Sequence, residues 1–226
     1  MHALSTCLRT ALAGGVLASA VAIASPAAQA ADNPASGKGP AAAAAAAPSL
    51  TEIAARLPKV GPQDVIKLAA SQVGISENSA GGGTKFQEWY MTSPRARETL
   101  ARDGGALEEY ENAPWCDMFV SWVGQQLGIQ PVMGSDAYTV EHARWFADHG
   151  RWGRTPKPGA VVFFSWSGSN KIGDIQHVGF VVRDNGDGTI RTVEGNTGNG
   201  AVEARTRPAW QVAGYGYPVY PAELAS

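Results

Sequence analysis

The chain has 226 residues, with 20 acidic and 18 basic side chains, a formal net charge of −2, and 44% hydrophobic residues. No cluster of basic residues is present, which argues against a nucleic-acid partner. Beyond the N-terminal segments, about 175 residues remain, enough to bury one core.

Residues 1–30 begin with Arg9 in a polar start, continue through an apolar run over 11–24, and end on the small-x-small triplet Ala28-Gln29-Ala30. That order predicts a secretory signal peptide, and the apolar run is too short and too rich in Ala and Gly for a stable membrane span. Its removal would take Cys7 away and leave Cys116 as the sole cysteine. Residues 31–48, with an alanine run between Pro40 and Pro48, are expected to form a flexible linker. Residues 49–226 would then be the folded domain, exported to the outside of the cell or the cell wall. No membrane attachment would remain after cleavage, and a monomer is expected.

Within that domain the first half reads as helices. Residues 49–57 and 62–73 are the first two, the second opening on Gly61-Pro62 and closing at Gly74. Gly81-Gly82-Gly83 marks a loop before a short helix over 84–90, and the charged stretch 94–102 reads as a solvated surface helix. Next, Pro114 fits the first turn of a helix in which Phe119, Val120 and Val123 recur at helical spacing and Gly128 supplies the stop. A loop containing Gly and Pro follows, and residues 139–149 form another helix. The pattern then changes to strands over 160–165, 177–182, 189–194, 202–207 and 212–220, with Asn185-Gly186-Asp187-Gly188 as a hairpin signal. Helices followed by an antiparallel meander predict an α+β domain.

Cys116 falls in the first turn of its helix, where unpaired N–H groups and the positive end of the helix dipole favour an anion. A thiol there is expected to be acidified and to act as a nucleophile; the alternative is a buried structural cysteine. Asp117 works against this. At ~6 Å and an effective dielectric of ~20, a carboxylate opposes a thiolate by ~3 kcal/mol, which His177 as imidazolium would offset. A base is then needed. His142 and His149, seven residues apart among Arg144, Asp148 and Arg151, are expected on a solvated face. His177 opens an apolar strand and is the expected general base. Glu194 and Asn196, two apart on the next strand, are expected to project together toward His177, either one accepting its Nδ1–H. Salt-bridge or turn-capping roles remain the alternative for both.

Three segments in this order carry a family resemblance: Pro114-Trp115-Cys116 running to Phe119-Val120-Ser121-Trp122, Asp174-x-x-His177-Val178-Gly179-Phe180-Val181, and Val193-Glu194-Gly195-Asn196-Thr197. Together they resemble the CHAP family of cysteine/histidine-dependent amidohydrolases and peptidases over about residues 62–220, and the upstream segments 74–79 and 84–90 resemble its secreted actinobacterial members. The resemblance implies a papain-like α+β fold with the nucleophile helix packed on an antiparallel sheet. It also implies a peptidoglycan substrate, with Cys116 as nucleophile, His177 as base, Glu194 as orienter and Asn196 as orienter or polar support. Many family members carry a small neutral residue where this chain has Asp117. No cofactor is expected. Some relatives hold calcium in an acidic loop, but the acidic groups Glu77 and Glu108, Glu109, Glu111 lack the spacing of such a loop, so no metal is expected either. Trp115 and Trp166 are expected to rim the cleft as substrate contacts, with core packing the alternative for Trp115. Trp122 and Trp145 are expected in the core. A wall-binding module without turnover and a transamidase are the competing readings.

Overall fold

A computed structural model describes residues 47–225, so the expected signal peptide over 1–30, Cys7 and the expected linker as far as residue 46 lie outside the described residues. Four short α-helices come first. Ser49 caps α1 (Leu50–Ala54) through a reciprocal pair with Glu52, and Gly61 precedes α2 (Pro62–Ala70), whose first residue needs no donor. Thr84 and Gln87 form the same reciprocal cap on α3 (Lys85–Thr92). Ser93 caps α4 (Pro94–Asp103), which ends at Gly104. Each of these starts on a residue type that supplies its own cap or tolerates its absence, which is why local sequence locates them well.

The helix α5 (Cys116–Gln126) lies between α3 and the sheet and is buried on nearly every side over its first eight positions save Trp122. Its start differs from the expectation. Trp115 occupies the cap position, so Pro114 lies just outside the helix and Cys116 is its first residue. The loop expected after Gly128 contains a further helical turn, α6 (Gln130–Met133), with Pro131 tolerated near its start. Then comes α7 (Thr139–Asp148).

Six antiparallel strands follow: β1 (Trp152–Gly153), β2 (Val161–Phe164), β3 (His177–Asp184), β4 (Thr189–Thr197), β5 (Ala201–Pro208) and β6 (Val212–Gly216). Their order is β1-β6-β2-β3-β4-β5. Strands β2 to β5 form the expected meander, but β6 departs from it by returning to pair with β2 on the other side, and the two-residue β1 closes that edge. The alternation of burial divides the sheet into two faces. Phe163, Val178, Phe180 and Val193 join the main core beneath α5, where Phe119 meets Phe180 edge-on at 6.1 Å. Val162, Phe164, Val181 and Ile190 form a smaller cluster on the opposite face. The architecture is α+β, as the order of the sequence patterns implies.

Candidate active site

Two backbone features bring the start of α5 to one end of the sheet. The pairing of Phe180 with Val193 runs on so that His177, the first residue of β3, lies by the Gly195–Asn196 end of β4. At that end Gly195 permits close approach: a Cβ there would meet the Phe119 side chain at 2.7 Å and the Trp115 ring at 2.9 Å. Cys116 and His177 therefore sit at the same end of the strands, Cys116 on the helix and His177 on β3.

His177 is 2% exposed, and its Nε2 lies 2.9 Å from Glu194 Oε2. The expected bond was at Nδ1; the structure uses the other ring nitrogen, and Nδ1 is buried with no hydrogen-bond partner among the described residues. Because an ionised carboxylate only accepts, Nε2 carries a proton, which leaves Nδ1 as the nitrogen through which the ring can exchange one. That is the orientation a base needs, with the exchanging nitrogen on the uncommitted side.

Glu194 is fully buried and holds its charge through three partners. Thr192 Oγ1 donates to Oε1 at 2.6 Å, His177 donates to Oε2, and Arg207 on β5 donates from Nη2 to Oε2 at 2.6 Å and from Nε at 3.0 and 3.1 Å. Burial pushes this carboxyl up, but the hydrogen bonds and charges of His177 and Arg207 outweigh it and hold the pKa down at about 2. Arg207 escaped the sequence reading. It lies outside the quoted motifs, and only the β4–β5 pairing brings it to Glu194; an arginine on the strand following the orienter is the signal that was available. Its guanidinium also stacks over the ring of Trp166 at 5.1 Å and that of Phe164 at 5.7 Å, and the Trp166 ring lies 5.5 Å from His177. Trp166, half-buried, thus roofs the imidazole from the expected loop.

Asn196 makes hydrogen bonds at the entrance of α5, away from Glu194. The pairing of β4 with β5 slips between Glu194 and Thr197, and Asn196 takes φ of 50°, so the two-residue alternation that would have aligned them is broken. Its Oδ1 accepts the Trp115 N–H at 3.1 Å and its Nδ2 donates to Glu77 Oε2 at 3.0 Å. The side chain thereby serves the helix entrance, a position where Asn tolerates the left-handed backbone better than most residues. Glu77 also accepts from Trp115 Nε1 at 2.8 Å, so this acidic residue is spent on the same node.

Trp115 is a correction. It has no exposed surface and stacks on Phe86 at 5.4 Å, so its ring belongs to the core, not to a groove rim. His142 is a second correction: the solvated face expected for it is a buried one, and only His149 of that pair is exposed. His142 Nδ1 lies 2.7 Å from Asp117 Oδ1. Asp117 is therefore offset by His142, not by His177.

Cys116 is 1% exposed and stands in a disulfide. At the first position of α5 it stands where the N–H groups of the opening turn have no acceptor within the helix. No three His, Cys, Asp or Glu side chains gather as a metal site among the described residues, and none of the described helices is long and apolar enough to cross a membrane.

No curated protein and no solved structure matches the chain. Residues 108–196, which carry Cys116, His177, Glu194 and Asn196 but stop short of Arg207, match the family model of the CHAP domain, a papain-like family of hydrolases that generally act on peptidoglycan.

Proposed function

We propose that this chain is a secreted or wall-associated cysteine amidase or endopeptidase that hydrolyses amide bonds in the peptide part of peptidoglycan. One observation carries the reading: a buried imidazole with Nε2 tied to an ionised Glu194 and Nδ1 left uncommitted, at the end of the sheet where α5 presents Cys116. In the reduced protein, His177 Nδ1 takes the Cys116 proton and the sulfur attacks the amide carbonyl carbon. First-turn N–H groups of α5 favour the oxyanion. As the tetrahedral species collapses, the C–N bond breaks, His177 returns its proton to the leaving amine, and a thioester remains. Water, deprotonated by His177, then attacks that thioester and releases the acid and the thiol. Glu194 keeps the imidazole in one tautomer throughout and stabilises its charged form.

Purified peptidoglycan incubated with the reduced chain is expected to release new amino groups. Mass spectrometry of the fragments then distinguishes the muramoyl–L-alanine amide from a bond within the stem or cross-bridge. Cys116→Ala should abolish release, and digestion at the parental rate would end this reading. The 1% exposure of Cys116 favours a second reading, a wall-binding module on the same fold without turnover. That reading expects the reduced parent to sediment with insoluble wall and release nothing.

A further inference from the structure

The mechanism above leaves one buried titratable pair unused. Asp117, next in sequence to Cys116, and His142 on α7 are both fully buried. His142 Nδ1 meets Asp117 Oδ1 at 2.7 Å, and His142 Nε2 meets the Met133 carbonyl at 2.9 Å. A carbonyl oxygen only accepts, so Nε2 carries a proton. One further proton then lies in the Asp117–His142 contact, on either the ring or the carboxyl, and in both arrangements the pair is neutral overall. Asp117 Oδ2 has no hydrogen-bond partner among the described residues, a position that penalises an uncompensated carboxylate.

The surroundings are built for this contact. Gly134 allows the ring to sit against the backbone, since a Cβ there would meet His142 Nε2 at 2.8 Å, and the ring packs on Phe146 and Phe163. The other charged or titratable groups facing the pair are Asp136, which accepts from Arg95 and Arg102, and Tyr90 of α3. Burial pushes the Asp117 carboxyl up, while that carboxyl raises the His142 imidazole against the opposing effect of burial. The two groups compete for one proton and retain it between them.

We propose that Asp117–His142 is a one-proton positioning pair for the nucleophile. It ties the first turn of α5 to α6 and α7, and it keeps a carboxylate next to Cys116 from opposing the thiolate. The role of Cys116 rests on the function proposed above; the electrical neutrality of the pair does not.

The test is the pH dependence of iodoacetamide alkylation, followed on the Cys116-containing peptide of the pre-reduced full chain, alongside wall-digestion kinetics. His142→Gln removes the proton-sharing base. The thiol pKa should rise by about one unit, a roughly tenfold loss of alkylation rate below that pKa, with kcat falling and KM little changed. Asp117→Asn replaces one neutral contact by another and should leave the thiol pKa within a few tenths of a unit. The double variant Asp117→Asn/His142→Gln should restore the parental thiol pKa even if it melts lower. An unchanged thiol pKa in His142→Gln, or a fall of a full unit in Asp117→Asn, overturns the proposal. Should His142→Gln fail to fold, the Asp117→Asn and double variants decide by the same criterion. A parent that alkylates with an acidified thiol but releases nothing from wall would instead count against the hydrolase reading and leave the pair's neutrality standing.

Discussion

Among the described residues two buried histidine–carboxylate pairs meet at nearly the same separation, and they differ in what surrounds them. His177–Glu194 meets at 2.9 Å and His142–Asp117 at 2.7 Å. In the first, Arg207 and Thr192 satisfy the carboxylate and the imidazole keeps one nitrogen uncommitted. In the second, both imidazole nitrogens are engaged and an oxygen of the carboxyl lacks a partner. A base must have somewhere to put a proton, so only the first pair is equipped for proton transfer, while the second is closed and holds structure. Nearness of a carboxylate to a histidine is thus a poor indicator of chemistry; the state of the far nitrogen is the informative feature.

The contrast can be broken most severely at His177. His177→Ala should lower kcat by on the order of 10²–10⁴ while leaving the melting temperature within a few degrees, measured by amine release from wall and by thermal unfolding. A variant of His142 that slowed turnover as much as His177→Ala would erase the distinction.

Arg207→Met probes why the first carboxylate stays charged. Leaving Glu194 buried without its cation should destabilise the fold by about 3 kcal/mol at neutral pH, read from denaturant unfolding. A related effect concerns acid. The Glu194 pKa of about 2 in the folded chain lies below its ordinary 4.5. The stability this carboxylate contributes is therefore full above pH 4.5, fades as pH falls below that value, and is gone once pH drops below about 2. The difference corresponds to roughly 3 kcal/mol. Acid unfolding of the parent should show that loss, and Arg207→Met should begin unfolding at higher pH.

Smaller still is the effect expected at the helix entrance. Asn196→Ala removes the acceptor for the Trp115 N–H and places a Cβ-bearing residue without the Asn advantage at φ of 50°. A loss of about 1–2 kcal/mol in stability, with a modest fall in kcat, should follow. Trp166→Leu, which thins the roof over His177, should act least on stability and chiefly on KM.

Local sequence was a good guide wherever one residue decides a local event. Ser49, Thr84 and Ser93 cap the helices that follow them, and the Asn185–Gly188 turn joins β3 to β4. His177 stood out because a histidine is unexpected at the head of an apolar strand. The misses share a different cause. Trp115 and His142 were assigned by what lies beside them along the chain, yet burial depends on what packs from elsewhere: Phe86 of α3 against Trp115, and Phe163 of β2 against His142. Asn196 was assigned by strand alternation, and a slipped register with a left-handed residue turned it to another task.

The residues alone determined the class of fold, that Cys116 sits near the start of a helix, and that His177 heads a strand beside the one carrying Glu194 and Asn196, since these follow from periodicity, turn chemistry and the motif order. Only the tertiary structure decided which imidazole nitrogen is held, that Arg207 on β5 keeps Glu194 charged, and that Asp117 is shared with His142. Those outcomes depend on atoms far apart in the chain meeting at hydrogen-bond distance in a buried environment, and no local pattern specifies such a meeting.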